Sequence, residues 1–188
     1  MLSVYIDFKS PESYLALAPT LALAAGSGCR LQWLPLRARK RELPAASDKP
    51  ERTAAHGRAR KAYEIRINQH YALQQGLSLA GPANPHGTDA ALASLLGNKD
   101  NTTAFVQAAY HAYWREGANL DCWGTVTALW TAGSNETIAI DLDALATHQL
   151  KAEQSGIVGT PAYVIAGEIF IGRAHLPLIR ELLVTANP

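Results

Sequence analysis

The chain has 188 residues, 48% of them hydrophobic, and a formal net charge of +1. That length suits one sizeable domain, or one domain carrying a large insertion. No apolar run approaches the ~20 residues that cross a bilayer, so no membrane partner is expected. The near-neutral charge argues against nucleic acid.

The first residues, Val4-Tyr5-Ile6-Asp7-Phe8, are β-branched and aromatic and read as a strand. Met1 to Phe8 has no basic n-region and no small-residue cleavage site, so no signal peptide is expected. Ser10-Pro11-Glu12 then has the form of a helix start. The serine oxygen accepts an orphan N–H, proline has none to lose, and the acid suits the positive end of the dipole. Tyr14, Leu17, Leu21 and Ala25 keep helical spacing, Pro19 should kink the helix rather than end it, and Gly26-Ser27-Gly28 stops it. A second strand over Arg30 to Pro35 completes a β-α-β unit with parallel strands.

From about Arg39 to Leu150 no strand pattern appears. A charged helix is predicted from Pro50 to Gln75, with Ala59, Tyr63, Ile67 and Tyr71 at i+4 steps. Shorter ones follow at Thr88–Leu96, Asn101–Arg115, Asp121–Thr131 and Asp141–Ser155, with a turn-rich break at Gly81–Gly87. Between Arg37 and Arg66 stand ten Lys/Arg against four acids, a local balance of +6 that leaves about −5 elsewhere. Such a run is either a solvated helical face or a basic rim that attracts a small anion such as a carboxylate.

The period changes again at the C-terminal end. Gly156-Ile157-Val158-Gly159-Thr160-Pro161 leads into the strand Ala162–Ile165, Ala166-Gly167 makes a tight turn, and Glu168–Ile171 is a second strand. Two intervening residues favour an antiparallel hairpin. His175 to Thr185 closes the chain as a helix. The order β-α-β, helical block, β-β-α is that of a thioredoxin-type sheet split by a helical insertion: an α/β fold with residues 1–38 and 155–188 forming a discontinuous thioredoxin-like domain and 39–154 the helical insertion.

Cys29 and Cys122 lie far apart and form no C-x-x-C. Reduced thiols in the cytoplasm are the simplest reading, with a single Cys29–Cys122 disulfide left open. No Cys/His cluster has metal-ligand spacing, and no Walker or G-x-G-x-x-G pattern appears.

D-F-x-S-P-x-S-Y-L-A at the start and G-I-V-G-T-P-A-Y-V-I-A-G-E-I-F-I-G-R-A-H-L at the end resemble the family of 2-hydroxychromene-2-carboxylate isomerases and kappa-class glutathione transferases. These are similar to DsbA-like thiol-disulfide oxidoreductases, which share the thioredoxin fold with a helical insertion. Redox relatives carry two cysteines where this chain has Ser10 and Ser13, and a serine hydroxyl cannot form a disulfide. The resemblance implies that the thiol comes from glutathione as cofactor. Ser10 would then donate a hydrogen bond to its thiolate, and Pro11, Glu12 and Ser13 would be ligand-binding positions; a plain helix cap is the other reading of Ser10.

Thr160-Pro161 is implied to be cis, with the residue before the proline offering its backbone to the cysteinyl part of glutathione. Arg60 stands where family members often carry a ligand-contacting lysine. Asn84 aligns near the family's substrate pocket, or simply forms a turn. Where glutathione binders typically show G-x-D-R, this chain has Gly172-Arg173-Ala174-His175. Ala174 replaces the acid, and Arg173 puts a cation suited to a carboxylate at the same rim. The activity implied is glutathione-dependent isomerisation or conjugation of an aromatic carboxylate, of the kind met in aromatic-compound catabolism, by a chain whose relatives are often homodimers. Two other functions stay open: a DsbA-like redox protein using Cys29 or Cys122, and a non-catalytic binding module.

Overall fold

The computed structural model describes residues 1–38, 51–83, 85–131 and 138–185, with the side chains of 51–54 left out. Asn84 and much of the basic run lie outside them. Four strands, β1 (Leu2–Ile6), β2 (Leu31–Pro35), β3 (Ala162–Ile165) and β4 (Glu168–Ile171), form one sheet in the order β2-β1-β3-β4. β1 and β2 are parallel, with Leu2 opposite Leu31. β3 runs antiparallel to β1, with Tyr5 opposite Ala162, and β4 antiparallel to β3. The two-residue hairpin holds Ala166 and Gly167 both at positive φ, 51° and 86°, the backbone of a primed turn whose twist matches its strands.

Helix α1 (Pro11–Ser27) connects β1 to β2 and runs on through Pro19. Its last turn closes on Gly28 at φ 65°, a left-handed cap that glycine adopts without penalty. Between β2 and β3 come α2 (Glu51–Gln74), α3 (Asp89–Gly97), α4 (Thr102–His111), α5 (Trp123–Thr131) and α6 (Leu142–Gln154). α7 (Leu176–Thr185) follows β4 through a short 3-10 turn, Arg173–His175. This is the DsbA-like thioredoxin fold with its helical insertion. No helix among the described residues is long and apolar enough to cross a membrane.

The period-2 pattern of β1 buries Leu2, Val4 and Ile6 on one face. There they join Leu23 of α1, Tyr163 of β3 and Ile179 and Leu183 of α7. Tyr5, Ala162 and Val164 point to the other face, against Ala152 and Ile157, and Tyr5 stacks on His148 of α6 with centroids 5.8 Å apart. Beyond the end of β1, Phe8 carries the core into the helices. Its ring meets Phe105 at 6.0 Å and Tyr110 at 5.1 Å, and Tyr14 stacks in turn on Tyr110 and Trp114.

Two segments differ from the periodicity. The helix predicted over Asn101–Arg115 ends at His111 and opens into a π-turn, Ala112–Glu116, closed by Gly117 at φ 70°. Tyr113 and Trp114 are both buried within that turn. The i+4 stripe of α2 is also unlike a core stripe, because Ala59, Tyr63 and Tyr71 are exposed and only Ile67 is half-buried.

Candidate active site

The loop from β1 into α1 concentrates the chemistry. Asp7, one residue past β1, is buried. Its Oδ1 accepts from the Lys9 amide at 2.9 Å and from Thr88 Oγ1 at 3.4 Å, and its Oδ2 accepts from the Ala38 amide at 2.7 Å. Burial pushes its carboxyl above the ordinary range, and those hydrogen bonds with the Lys9 charge offset part of that rise. Burial, with Asp7 adding to it, also holds the Tyr110 phenol well above its usual value, while its hydroxyl donates to the Asp7 carbonyl at 3.2 Å.

Ser10 is the N-cap of α1 and is 5% exposed. Its Oγ accepts from the Ser13 amide at 3.1 Å, satisfying one orphan donor of the helix start. The Oγ hydrogen goes to Glu12 Oε2 at 3.0 Å. Glu12 in turn accepts from Asn68 Nδ2 of α2 at 2.6 Å through its other oxygen. Ser13 lies one turn further in; its Oγ is buried with no hydrogen bond of strict geometry, and it faces the Tyr110 hydroxyl closely enough to pull that pKa down as a weak hydrogen-bond partner.

These residues floor a cleft of about 840 Å³. Its lining includes Asp7, Lys9, Ser10, Pro11 and Glu12 from the loop and Pro82, His86, Tyr113 and Trp114 from the helical block. Trp114 is fixed there: its Nε1 donates to the Phe8 carbonyl at 3.0 Å, and its ring lies parallel to Tyr14. Gly81 packs beside it at φ 62°, a left-handed conformation that glycine adopts without penalty.

The Thr160–Pro161 bond is cis. The register that sets Tyr5 opposite Ala162 puts this bond at the end of the sheet from which the chain leaves β1 toward Ser10. The Pro161 carbonyl accepts from the Gly172 amide at 2.7 Å. Thr160 Oγ1 is buried without a hydrogen-bond partner, and among the described residues its backbone groups make no turn or loop hydrogen bond.

The arginines predicted to hold an anion stand elsewhere. Arg60 is exposed and pairs with Glu64 one turn along α2 at 3.1 Å. Arg173 and Ala174 line a second, more open groove with Tyr63, Ile67 and Tyr71. The Arg173 guanidinium lies 3.1 Å from the Tyr71 ring centroid, and its Nη1 donates to the Leu15 carbonyl at 3.5 Å. Arg37, inside the basic run, is held by Asp89 through two 3.0 Å hydrogen bonds. Among the described residues, the lysine facing the Ser10 cleft is Lys9, which the sequence reading passed over as the variable position of its motif.

Both cysteines are free. Cys29 follows the C-terminal end of α1, about 25 Å of helix away from Ser10. Cys122 is exposed just before α5, where the Thr125 amide and hydroxyl and the Gly124 amide lower its thiol pKa.

A family model described as the DSBA-like thioredoxin domain matches residues 1–184. The chain is 25% identical over 197 aligned residues to a 2-hydroxychromene-2-carboxylate isomerase of Sphingobium xenophagum, with 97% of each chain covered. A solved structure of a 2-hydroxychromene-2-carboxylate isomerase superposes with a TM-score of 0.67 at 20% identity, covering 98% of this chain and 95% of that one; this second likeness is one of fold.

Proposed function

The chain belongs to the DSBA-like thioredoxin domain family, and from that premise we propose that it is a glutathione-dependent isomerase or transferase acting on an aromatic carboxylate. The observation that carries this reading is the buried Ser10 hydroxyl at the N-terminus of α1, on the floor of a cleft walled by Tyr113 and Trp114. Its likeness to a 2-hydroxychromene-2-carboxylate isomerase over nearly its whole length supports the reaction class.

The residues fit the sulfur end of glutathione. The α1 N-terminus favours negative charge. The unpaired Thr160 backbone and its buried, partnerless Oγ1 suit a peptide laid alongside it. At the γ-glutamyl end the fit is poorer: Ala174 supplies no carboxylate for an amine, and Arg173 is engaged with Tyr71 and Leu15.

When bound, glutathione would supply a nucleophilic thiol that adds to an activated alkene and leaves after bond rotation, or stays as conjugate. Ser10 would donate its Oγ–H to the sulfur, as a thiolate stabiliser and not as a nucleophile. Tyr113 and Trp114, whose rings meet edge-to-face, offer apolar surface for an aromatic ring, and Lys9 lines the same cleft as a cation for its carboxylate. A reducing compartment, the cytoplasm, belongs to the same reading and is supported by the unpaired Cys29 and Cys122. So does a homodimer, which sedimentation would measure.

Isothermal titration with glutathione at millimolar concentration tests the reading, and the absence of any binding heat would sink it. Ala174 motivates a second reading, a binding module without catalysis. Aromatic carboxylates that raise the melting temperature with no turnover in the presence of glutathione would favour it.

A further inference from the structure

Ser10 has one proton, and its direction decides what the site does to a sulfur. In the structure that proton points at Glu12 Oε2 at 3.0 Å, while a lone pair takes the Ser13 amide. Glu12 is not a loose surface acid, since Asn68 of α2 holds its other oxygen at 2.6 Å. Residues 10, 12 and 68 thus form one chain of hydrogen bonds, from Asn68 and from Ser10 into a single carboxylate, and that carboxylate lines the cleft.

Two local fields therefore oppose each other at the start of α1. Oriented amides favour an anion there, and the Glu12 carboxylate disfavours one. We infer that Glu12 is a positioning residue: it takes the proton of the group at position 10 and so opposes the ionisation of a sulfur seated at the α1 N-terminus. While Glu12 holds the Ser10 proton, an Oγ lone pair is left to the cleft, and a sulfur there is held as S–H donating to Ser10. When Glu12 turns away, the hydroxyl is released to donate to a thiolate, the arrangement the proposed function uses. The inference rests on the proposed reading only in taking a sulfur as the occupant.

The other charged and titratable groups that line the cleft with Glu12 are Asp7 and Lys9 from its own loop, His86, and Tyr113 of the π-turn. Asp7 is tied to two backbone amides and Thr88. None of these groups makes a hydrogen bond to Ser10 Oγ among the described residues, so the direct control falls to Glu12.

The test puts the sulfur in place covalently, so it runs whether or not glutathione binds. Ser10→Cys introduces a thiol at the N-cap, and its pKa is read from thiolate absorbance and from the pH dependence of alkylation, with Cys29→Ser and Cys122→Ser in the background. Adding Glu12→Gln, which retains a partner for Asn68, should lower that pKa by about one unit or more, the scale of a like charge in direct contact. Glu168→Gln, an exposed acid on β4, controls for net charge and should leave the value in place. An unchanged or raised pKa on Glu12→Gln overturns the inference, as does an equal shift from Glu168→Gln. Failure of glutathione to bind in titration would overturn the proposed function instead and leave this measurement standing.

Discussion

Tyr163 and Thr20, 143 residues apart, share a buried hydrogen bond of 2.9 Å between their hydroxyls. It ties the central strand β3 to the middle of α1, whose N-terminus holds Ser10. Burial drives the Tyr163 phenol up to about 12, with the Thr20 bond and the Arg173 charge pulling the other way, so it stays protonated across ordinary pH. Tyr163→Phe and Thr20→Val should each cost about 1–3 kcal/mol, because each strands a buried hydroxyl, whereas the double variant should cost less than their sum. Urea unfolding of the four proteins measures the coupling.

Ser10→Ala should act at two levels. Loss of the N-cap should cost about 1 kcal/mol of stability, seen in urea unfolding. Glutathione binding should persist while the bound thiol's pKa rises and turnover falls. Unchanged activity would refute the role assigned to the hydroxyl.

Asp7→Asn should destabilise the protein although it removes a buried charge. Three donors converge on the two carboxylate oxygens, and an amide would turn its own NH2 toward at least one of them. The expected loss is about 1–3 kcal/mol, again by urea unfolding, and replacement without loss would contradict the network.

His148 makes stability pH-dependent. Burial, then the Lys151 charge, lower its pKa in the folded protein, with a partial rise from the Pro35 backbone, and its Nε2 is buried without a partner. The neutral ring is thus the folded form. Its contribution is present above the unfolded value of about 6.5 and is lost as pH falls through the lower folded value. His148→Phe, which keeps a ring against Tyr5, should flatten the melting temperature between about pH 7 and pH 5 relative to the parent.

Cys122 should react with iodoacetamide near neutral pH faster than Cys29, because it is exposed and its thiolate is favoured by the Thr125 and Gly124 donors. Thr125→Val should slow it, as peptide mass spectrometry would show. A lone reactive thiol of this kind forms mixed disulfides, but it is no dithiol pair.

The parts of this molecule legible in its sequence are those whose causes lie within a few residues. Ser10-Pro11-Glu12 announces a helix start because cap, proline and first-turn acid act on the same three amides. Ala166-Gly167 announces a hairpin because two residues can close it only as a tight turn. What stayed hidden is set by distant partners. Asn68 meets Glu12 across 56 positions, and nothing local to either residue points to the other. Arg60 and Arg173 read as anion binders from their place in the chain, but folding gives them Glu64 and Tyr71 as partners. Lys9 looked like a spacer until the cleft formed around it. Asn84 lies outside the described residues.

The π-turn at Ala112–Glu116 has a wider consequence. Within one segment Tyr110 packs on Phe8 and, a turn later, Trp114 lines the cleft. Removing one residue from the π-turn would return the turn to ordinary α-helical winding and move the aromatic side chain next to the deletion by about 100° around the axis. The cleft wall is thus governed by how many residues the segment contains as well as by which ones. A relative with a one-residue gap at this point would carry a differently shaped cleft, even with every catalytic letter intact.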